Sequence, residues 1–116
     1  MIELNGYTID TKQQLVWGPT HKCLTWYQAM ELQKDGWLVP TIDQLKQAFG
    51  DKVSGFEGFW YWSSSSNAGN ANNAWLVNFG YGSVSHGYKG YDRAVRCVRP
   101  IGPWIFGELG LKRIPL

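Results

Sequence analysis

In the first seventeen residues, apolar Leu4, Tyr7 and Ile9 precede a polar turn at Asp10, Thr11 and Lys12, and Leu15, Val16 and Trp17 follow before Gly18 and Pro19. Two short apolar runs split and ended by turn formers predict a hairpin over residues 3–17. The pattern then lengthens to a helical period. Two helices are expected, each opening with Thr-x-x-Gln, in which a capping hydroxyl and a third-position amide satisfy each other's backbone donors. The first runs from Thr25, with Gln28 in the third position, to Gly36, and carries Trp26, Ala29, Met30 and a flanking Leu32. Gly36 suits the left-handed conformation that ends a helix. The second runs from Thr41, with Gln44, to Gly50, and its inward stripe is Ile42, Leu45, Ala48 and Phe49. Pro40 separates the two, because the residue before a proline is kept out of the helical region.

After Asp51 the texture turns to Gly, Ser, Asn and aromatic residues. Strands are expected at residues 59–63 and 74–79, in a short piece near Val84, and at 93–99, with a polar loop over 64–73. Helices first and strands later give an α+β class. The core is expected to hold Trp17, Trp26, Trp37, Trp62 and Trp75 with Met30, Leu45, Phe49, Val77, Phe79, Val95 and Val98. A domain over residues 1–99 is then followed by an apolar tail, 100–116. Its Trp104, Ile105 and Phe106 need a surface to cover, either on the domain or on a second subunit.

At 116 residues the chain is the size of one domain. Eleven Lys and Arg against nine Asp and Glu leave a net charge of +2, which argues against a nucleic-acid partner. No apolar run approaches the roughly 18 residues of a membrane span, and the opening MIELNGYTID has neither a basic nor an apolar signal region. Neither a span nor secretion by that route is expected. Aromatic residues at 16% are the unusual feature, since such rings either fill cores or serve as rigid anchors at interfaces.

Catalytic and metal chemistry find little support. Ser63, Ser64, Ser65 and Ser66 read as a strand end whose hydroxyls bond nearby backbone. A triad from Ser85 or Ser83 with His86 and Asp92 is disfavoured, because adjacent residues of an extended chain point to opposite faces. His21, Cys23, His86 and Cys97 fit no structural zinc spacing. The two cysteines either bridge, closing a loop worth about 4 kcal/mol, or remain a reduced pair. The informative run is YGSVSHGYKGYD, residues 81–92. Tyrosine offers a large amphipathic contact at low entropic cost and Ser and Gly adapt around it, the composition of a binding surface.

Four segments, GWLVPT at 36–41, YWSSS at 61–65, AWLVNF at 74–79 and RAVRCVR at 93–99, resemble the DUF1566 or Lcl C-terminal domain family. The resemblance implies a C-type-lectin-like fold, with two helices packed on short, loop-rich antiparallel strands. The Asn-rich lead-in SSSSNAGNANNAWLVNFG before the Tyr/Ser/Gly run is similar to the variable proteins of diversity-generating retroelements. Those systems mutate adenines, so asparagine codons yield Tyr, His, Asp, Ser or Gly. Tyr81, Ser83, Ser85, His86, Gly87, Tyr88, Gly90, Tyr91 and Asp92 all lie in that set, whereas Asn67, Asn70, Asn72, Asn73 and Asn78 remain asparagine.

The resemblance implies a hypervariable binder of protein ligands, with Tyr81, Tyr88 and Tyr91 as anchors and His86, Asp92 and Ser85 as adaptable contacts. Calcium-independent adhesion to carbohydrate or glycosaminoglycan is the alternative, with Lys89 or Arg93 meeting sulfates. The sugar-binding Glu-Pro-Asn, Gln-Pro-Asp and Trp-Asn-Asp signatures of calcium lectins do not occur. No enzyme activity, metal or cofactor is expected, and the tail allows for a homo-oligomer.

Overall fold

The strongest local signals in the sequence, the two Thr-x-x-Gln runs, both form. In the computed structural model of the chain, which describes residues 2–4 and 6–102, Thr25 caps helix α1 (Trp26–Met30) and Thr41 caps α2 (Ile42–Gly50). In each, the glutamine amide donates to the threonine hydroxyl at 3.2 Å and the threonine amide donates to Gln Oε1 at 2.9 Å. The first helix stops well before Gly36. Its continuation tightens, with Leu32 and Gln33 donating to carbonyls only three residues back, and Asp35 and Gly36 then take left-handed conformations. That turn returns the chain to Leu38, which exchanges two 2.8 Å backbone bonds with Val98.

Everything else is built on one sheet. Its strands are β1 (Ile2–Leu4), β2 (Tyr7–Asp10), β3 (Leu15–Leu24), β4 (Trp60–Asn67), β5 (Asn70–Asn78), β6 (Val84–Tyr88) and β7 (Arg93–Pro100). They lie in the order β1-β2-β3-β7-β4-β5-β6. All neighbours are antiparallel except β4 and β7, which meet in parallel at Tyr61 and Ala94. The expected α+β, C-type-lectin-like arrangement is therefore corrected to a mostly-sheet domain. Four strands run eight to ten residues, the sheet is mixed, and the helices are short additions to it.

Two features account for the difference. Residues 64–73, expected as a loop, are a hairpin turning at Ala68 and Gly69, exposed around the turn and tied to its surroundings by serine hydroxyls near its base. Ser63 Oγ donates to the Trp75 carbonyl at 2.7 Å, and Ser65 Oγ accepts the amide of Ile42 at 3.1 Å. The β3 strand also continues through Gly18 and Pro19, where a hairpin end was expected. Pro19 falls at a register shift between Trp17 and Thr20, a place where a missing ladder donor does no harm. The turn between β2 and β3 forms as expected, on the buried Asp10 carboxylate, which accepts from the Lys12 and Gln13 amides and from Trp17 Nε1, each at 3.1 Å.

The sheet is buried on both faces, and alternate residues sort between them. Tyr61, Val77, Ala94 and Val98 join Trp17, Leu45 and Ala48 under α2, whereas Trp62, Leu76, Val95 and Cys97 join Ala29 and Val39 beside α1. Trp17 and Trp62 are fully buried. Trp26, Trp37 and Trp75 are half-buried, and Phe49 is exposed, a correction to the expected core. Of the expected tail, 100–116, Pro100 ends β7 and the Ile101 amide donates to the Gln14 carbonyl at 3.0 Å, whereas Trp104, Ile105 and Phe106 lie outside the described residues.

On the α2 face the stripe of β7 contains a charge. Arg96 is 1% exposed, between Ala94 and Val98. Its Nε donates to the Gly18 carbonyl, Nη1 to the Ser54 carbonyl at 2.6 Å, and Nη2 to Thr8 Oγ1 at 2.7 Å. The guanidinium also lies 4.7 Å from the centre of the Phe56 ring. Burial pushes its pKa down to about 10. Gly55, at φ +91°, must be glycine here, because a Cβ would fall 2.6 Å from Nη2.

Replacing Arg96 takes the guanidinium donor from the Gly18 carbonyl and from Thr8 Oγ1, and leaves the Ser54 carbonyl with Thr8 alone. Arg96→Ala is expected to lower unfolding stability by about 3 kcal/mol or more, measured in urea. Arg96→Lys is expected to recover only part of that, since an ammonium cannot reproduce the three-pronged geometry.

Candidate functional site

Residues 81–92 are held by a turn at one end and a buried lysine at the other. The turn is organised by Asn78, whose Oδ1 accepts from the Gly80 amide at 2.7 Å and the Tyr81 amide at 3.1 Å. The Gly82 amide donates to the Asn78 carbonyl at 2.7 Å, and the Asn78 amide to Ser83 at 2.8 Å. Gly82 has φ +80°, and a Cβ there would meet the Phe49 ring at 2.5 Å, so the turn packs closely on that ring. The turn projects Tyr81 into solvent at 87% exposure.

From the turn, β6 runs along β5 at the end of the sheet, with Val84, His86 and Tyr88 opposite Val77, Trp75 and Asn73. Because side chains alternate, these three share one face, and Ser85 and Gly87 take the other, opposite Leu76 and Ala74. The His86 ring stands edge-on to Trp75 at 5.2 Å, and its Nδ1 lies 3.0 Å from Asn73 Nδ2. Beyond the strand, the Tyr91 amide donates to the Tyr88 carbonyl at 3.0 Å, and the two rings meet edge to face at 5.4 Å. Gly90 lies directly beneath the Tyr88 ring, where a Cβ would approach within 2.4 Å.

Of the residues named from the sequence, Tyr81, Ser83, Ser85, His86, Tyr88, Gly90, Tyr91 and Asp92 are exposed and Gly87 is half-buried. They do not form one cluster. Tyr81 and Ser83 occupy one end of β6 and Tyr88, Gly90 and Tyr91 the other, so the strip extends over roughly 20 Å at strand spacing. Sequence reasoning missed Asn73 and Trp75, which border His86 from the neighbouring strand. Pairing residues 74–79 with the piece near Val84 would have pointed to them.

Lys89 requires a correction. Expected as a sulfate contact, it is 7% exposed and turned inward. Its Nζ donates to Ser66 Oγ and to the Ala71 carbonyl, both at 2.8 Å, and lies 4.1 Å from the centre of the Trp26 ring. Its own carbonyl accepts the Trp26 amide at 2.9 Å, and its amide donates to Asn72 at 2.8 Å. Lys89 thus pins the strip to α1 and to the β4–β5 hairpin. Arg93 stays partly accessible, donating to the Asp92 carbonyl at 3.2 Å, with its guanidinium 5.7 Å from the centre of the Tyr91 ring.

The other candidates are dispersed. Ser85 and His86 point to opposite faces, and the Ser85 hydroxyl lies 3.5 Å from the His86 carbonyl oxygen. His21 on β3 and His86 on β6 are separated by three strands. Cys23 is exposed and Cys97 buried, both as free thiols. Burial pushes the Cys97 thiol up to about 11. Among the described residues no three metal-ligating side chains converge. A separate open cleft of about 910 Å3 lies between β2, β3, β7 and the turn after α1, bordered by Tyr7, His21, Lys34, Asp35, Trp37 and Arg99. None of residues 81–92 lines it.

Comparison with known families matches residues 6–99 to the Lcl C-terminal domain, and the chain belongs to that family. No curated protein matches it.

Burial makes three expectations measurable. At pH 8 a thiol reagent is expected to modify Cys23 rapidly and Cys97 only after unfolding, because the raised pKa leaves Cys97 almost wholly protonated. Raising pH from about 9 towards 11 is expected to erode stability, since the unfolded chain releases that proton first. In thermal melts, a combined serine variant of Tyr81, His86, Tyr88 and Tyr91 is expected to lose far less than Trp62→Ala, whose expected cost is about 3 to 5 kcal/mol.

Proposed function

We propose that this Lcl C-terminal domain is the variable ligand-binding protein of a diversity-generating retroelement, presenting residues 81–92 to protein ligands. The observation that carries the reading is a partition inside that run. The side chains of Tyr81, Ser83, Ser85, His86, Tyr88, Tyr91 and Asp92, all of types that adenine-directed change in asparagine codons can give, are exposed. Of the two residues of other types, Val84 is exposed as well, and Lys89 is the one that the fold buries and uses. A surface that must accept many sequences has to be separable in this way from the contacts that hold the scaffold together.

The chemistry of binding needs no reaction and no cofactor. Tyr81, Tyr88 and Tyr91 supply broad rings with a polar tip, and Ser85, His86 and Asp92 supply short donors and acceptors between them. Protein is favoured over sulfated glycan because Lys89 is already occupied, which leaves Arg93 as the cation bordering the strip.

Two measurements test this. The coding DNA is expected to have a nearby copy of the region with asparagine codons opposite Tyr81, Ser83, Ser85, His86, Gly87, Tyr88, Gly90, Tyr91 and Asp92. Absence of such a copy overturns the retroelement origin. Against a displayed surface-protein library, with a glycan array at two salt concentrations as the comparison, protein ligands are expected to be captured. Alanine at any one of the three tyrosines is expected to cost about 2 kcal/mol, or roughly thirtyfold in affinity. Capture of glycans alone, weakening steeply with salt, contradicts the assignment.

A further inference from the structure

The backbone of β6 has a regularity that the side chains do not explain. In an antiparallel pair, alternate residues direct both their N–H and C=O towards the neighbouring strand, and the residues between direct theirs away. The bonds from the Asn78 amide to Ser83 and from the Lys89 amide to Asn72 fix which is which. Residues 83, 85, 87 and 89 face β5. Val84, His86 and Tyr88 therefore turn their peptide groups outward, and β6 is the last strand of the sheet. Tyr88 C=O is taken by the Tyr91 amide. Among the described residues the open row is thus Val84 N–H and C=O, His86 N–H and Tyr88 N–H, together with the His86 C=O, whose one contact is the Ser85 hydroxyl at 3.5 Å.

Open edges of this kind are usually blunted by a lysine, a proline or a bulge. Here β6 contains no charge and no proline, and its register with β5 is regular. Lys89, the residue best placed to guard the edge, is folded inward instead. The exposed rings of Tyr81 at one end and of Tyr88 and Tyr91 at the other bracket the row without closing it.

We infer that the protein ligand completes the sheet by laying an extended segment along the outer edge of β6, paired through main-chain hydrogen bonds. This rests on the reading of residues 81–92 as the binding surface and adds how the ligand is held. The occupant follows from the chemistry of the row. Donors and acceptors repeating about every 7 Å along a line match an extended polypeptide and no common sugar or nucleotide. A second copy of this chain, paired isologously through the same backbone row, is the competing occupant that the test separates. Main-chain pairing supplies affinity that survives changes at positions 84, 86 and 88, while the side chains select among ligands.

The probe is a set of random linear peptides displayed on phage and selected on the intact chain. Binding of a selected peptide is expected to slow amide exchange at Val84, His86 and Tyr88 by about tenfold or more, leaving 83, 85 and 87 unchanged. His86→Pro removes one outward donor at a position where an edge strand tolerates proline, and is expected to bind about tenfold more weakly than His86→Ala. Methylating alternate peptide amides should abolish binding in one phase of the alternation and spare it in the other, a result that does not depend on His86→Pro folding. If these substitutions and methylations leave affinity unchanged while tyrosine-to-alanine changes weaken it, ligands are held by side chains alone, and the edge proposal falls while the binding surface stands. Selection of no peptide, or protection of the same amides by self-association, also overturns the edge proposal. Peptide binding indifferent to Tyr81, Tyr88 and Tyr91 removes both.

Discussion

A buried guanidinium fixes the centre of this molecule. Arg96 sits mid-strand on β7 and reaches the Gly18 carbonyl of β3, Thr8 of β2 and the Ser54 carbonyl of the segment after α2. The Ser54 carbonyl also accepts from Thr8 Oγ1 at 3.0 Å, so one oxygen is shared by two elements. None of these three partners is a carboxylate, and the charge is met by carbonyl dipoles, a hydroxyl and the face of Phe56. Phe56 is in turn stacked on Phe79 at 3.8 Å and edge-on to Trp17 and Tyr61 at 5.2 and 5.0 Å. An irregular segment without secondary structure of its own is thereby locked into the core by a single side chain of a distant strand.

The same logic, at smaller scale, operates at the other end of the sheet. Lys89 joins the β4–β5 hairpin, α1 and the start of the connection to β7 through contacts that leave its neighbours unconstrained. Two cations, each satisfied by oxygens and an aromatic face, do the joining that hydrophobic contact alone cannot specify in this glycine-rich chain. Between them the exposed strip is held in place by its ends and by β5.

Much of the fold was legible where local chemistry decides it. Both capping boxes, the second helix, the Asp10 turn and the inward Trp17 and Trp62 follow from residue type and spacing. The β4–β5 hairpin was not legible, because serine and asparagine signal solvent or turns unless one knows that Ser63, Ser65 and Ser66 have partners in Trp75 of β5, Ile42 of α2 and Lys89. The inward cations were hidden for the same reason. Nothing in RAVRCVR marks Arg96 off from Arg93 and Arg99, nor does YKG mark Lys89 as buried, and only tertiary structure supplies their acceptors. At the candidate site, composition pointed to the right residues as exposed but misjudged their layout. A strip along a strand and a rounded patch share a composition, and the pairing that distinguishes them involves β5.

The position of β7 has a consequence for how the chain must fold. The amino-terminal strands β1, β2 and β3 and the later group β4, β5 and β6 are each joined by short local connections, yet their backbones pair into one sheet only through the strand between them, the last in sequence of the seven described strands, with the Thr20–Tyr61 and Trp62–Leu24 hydrogen bonds crossing over it. Neither Leu15 nor Tyr61 finds its β7 partner until residues 93–100 arrive, with sequence separations of 85 for Leu15 to Pro100 and 33 for Tyr61 to Ala94. Such late, non-local closure slows folding and leaves two half-sheets with bare edges in the meantime. Any change in residues 81–92 therefore acts on the tether that delivers the closing strand. A variant sequence can be harmless to the finished structure and still alter how quickly that structure is reached.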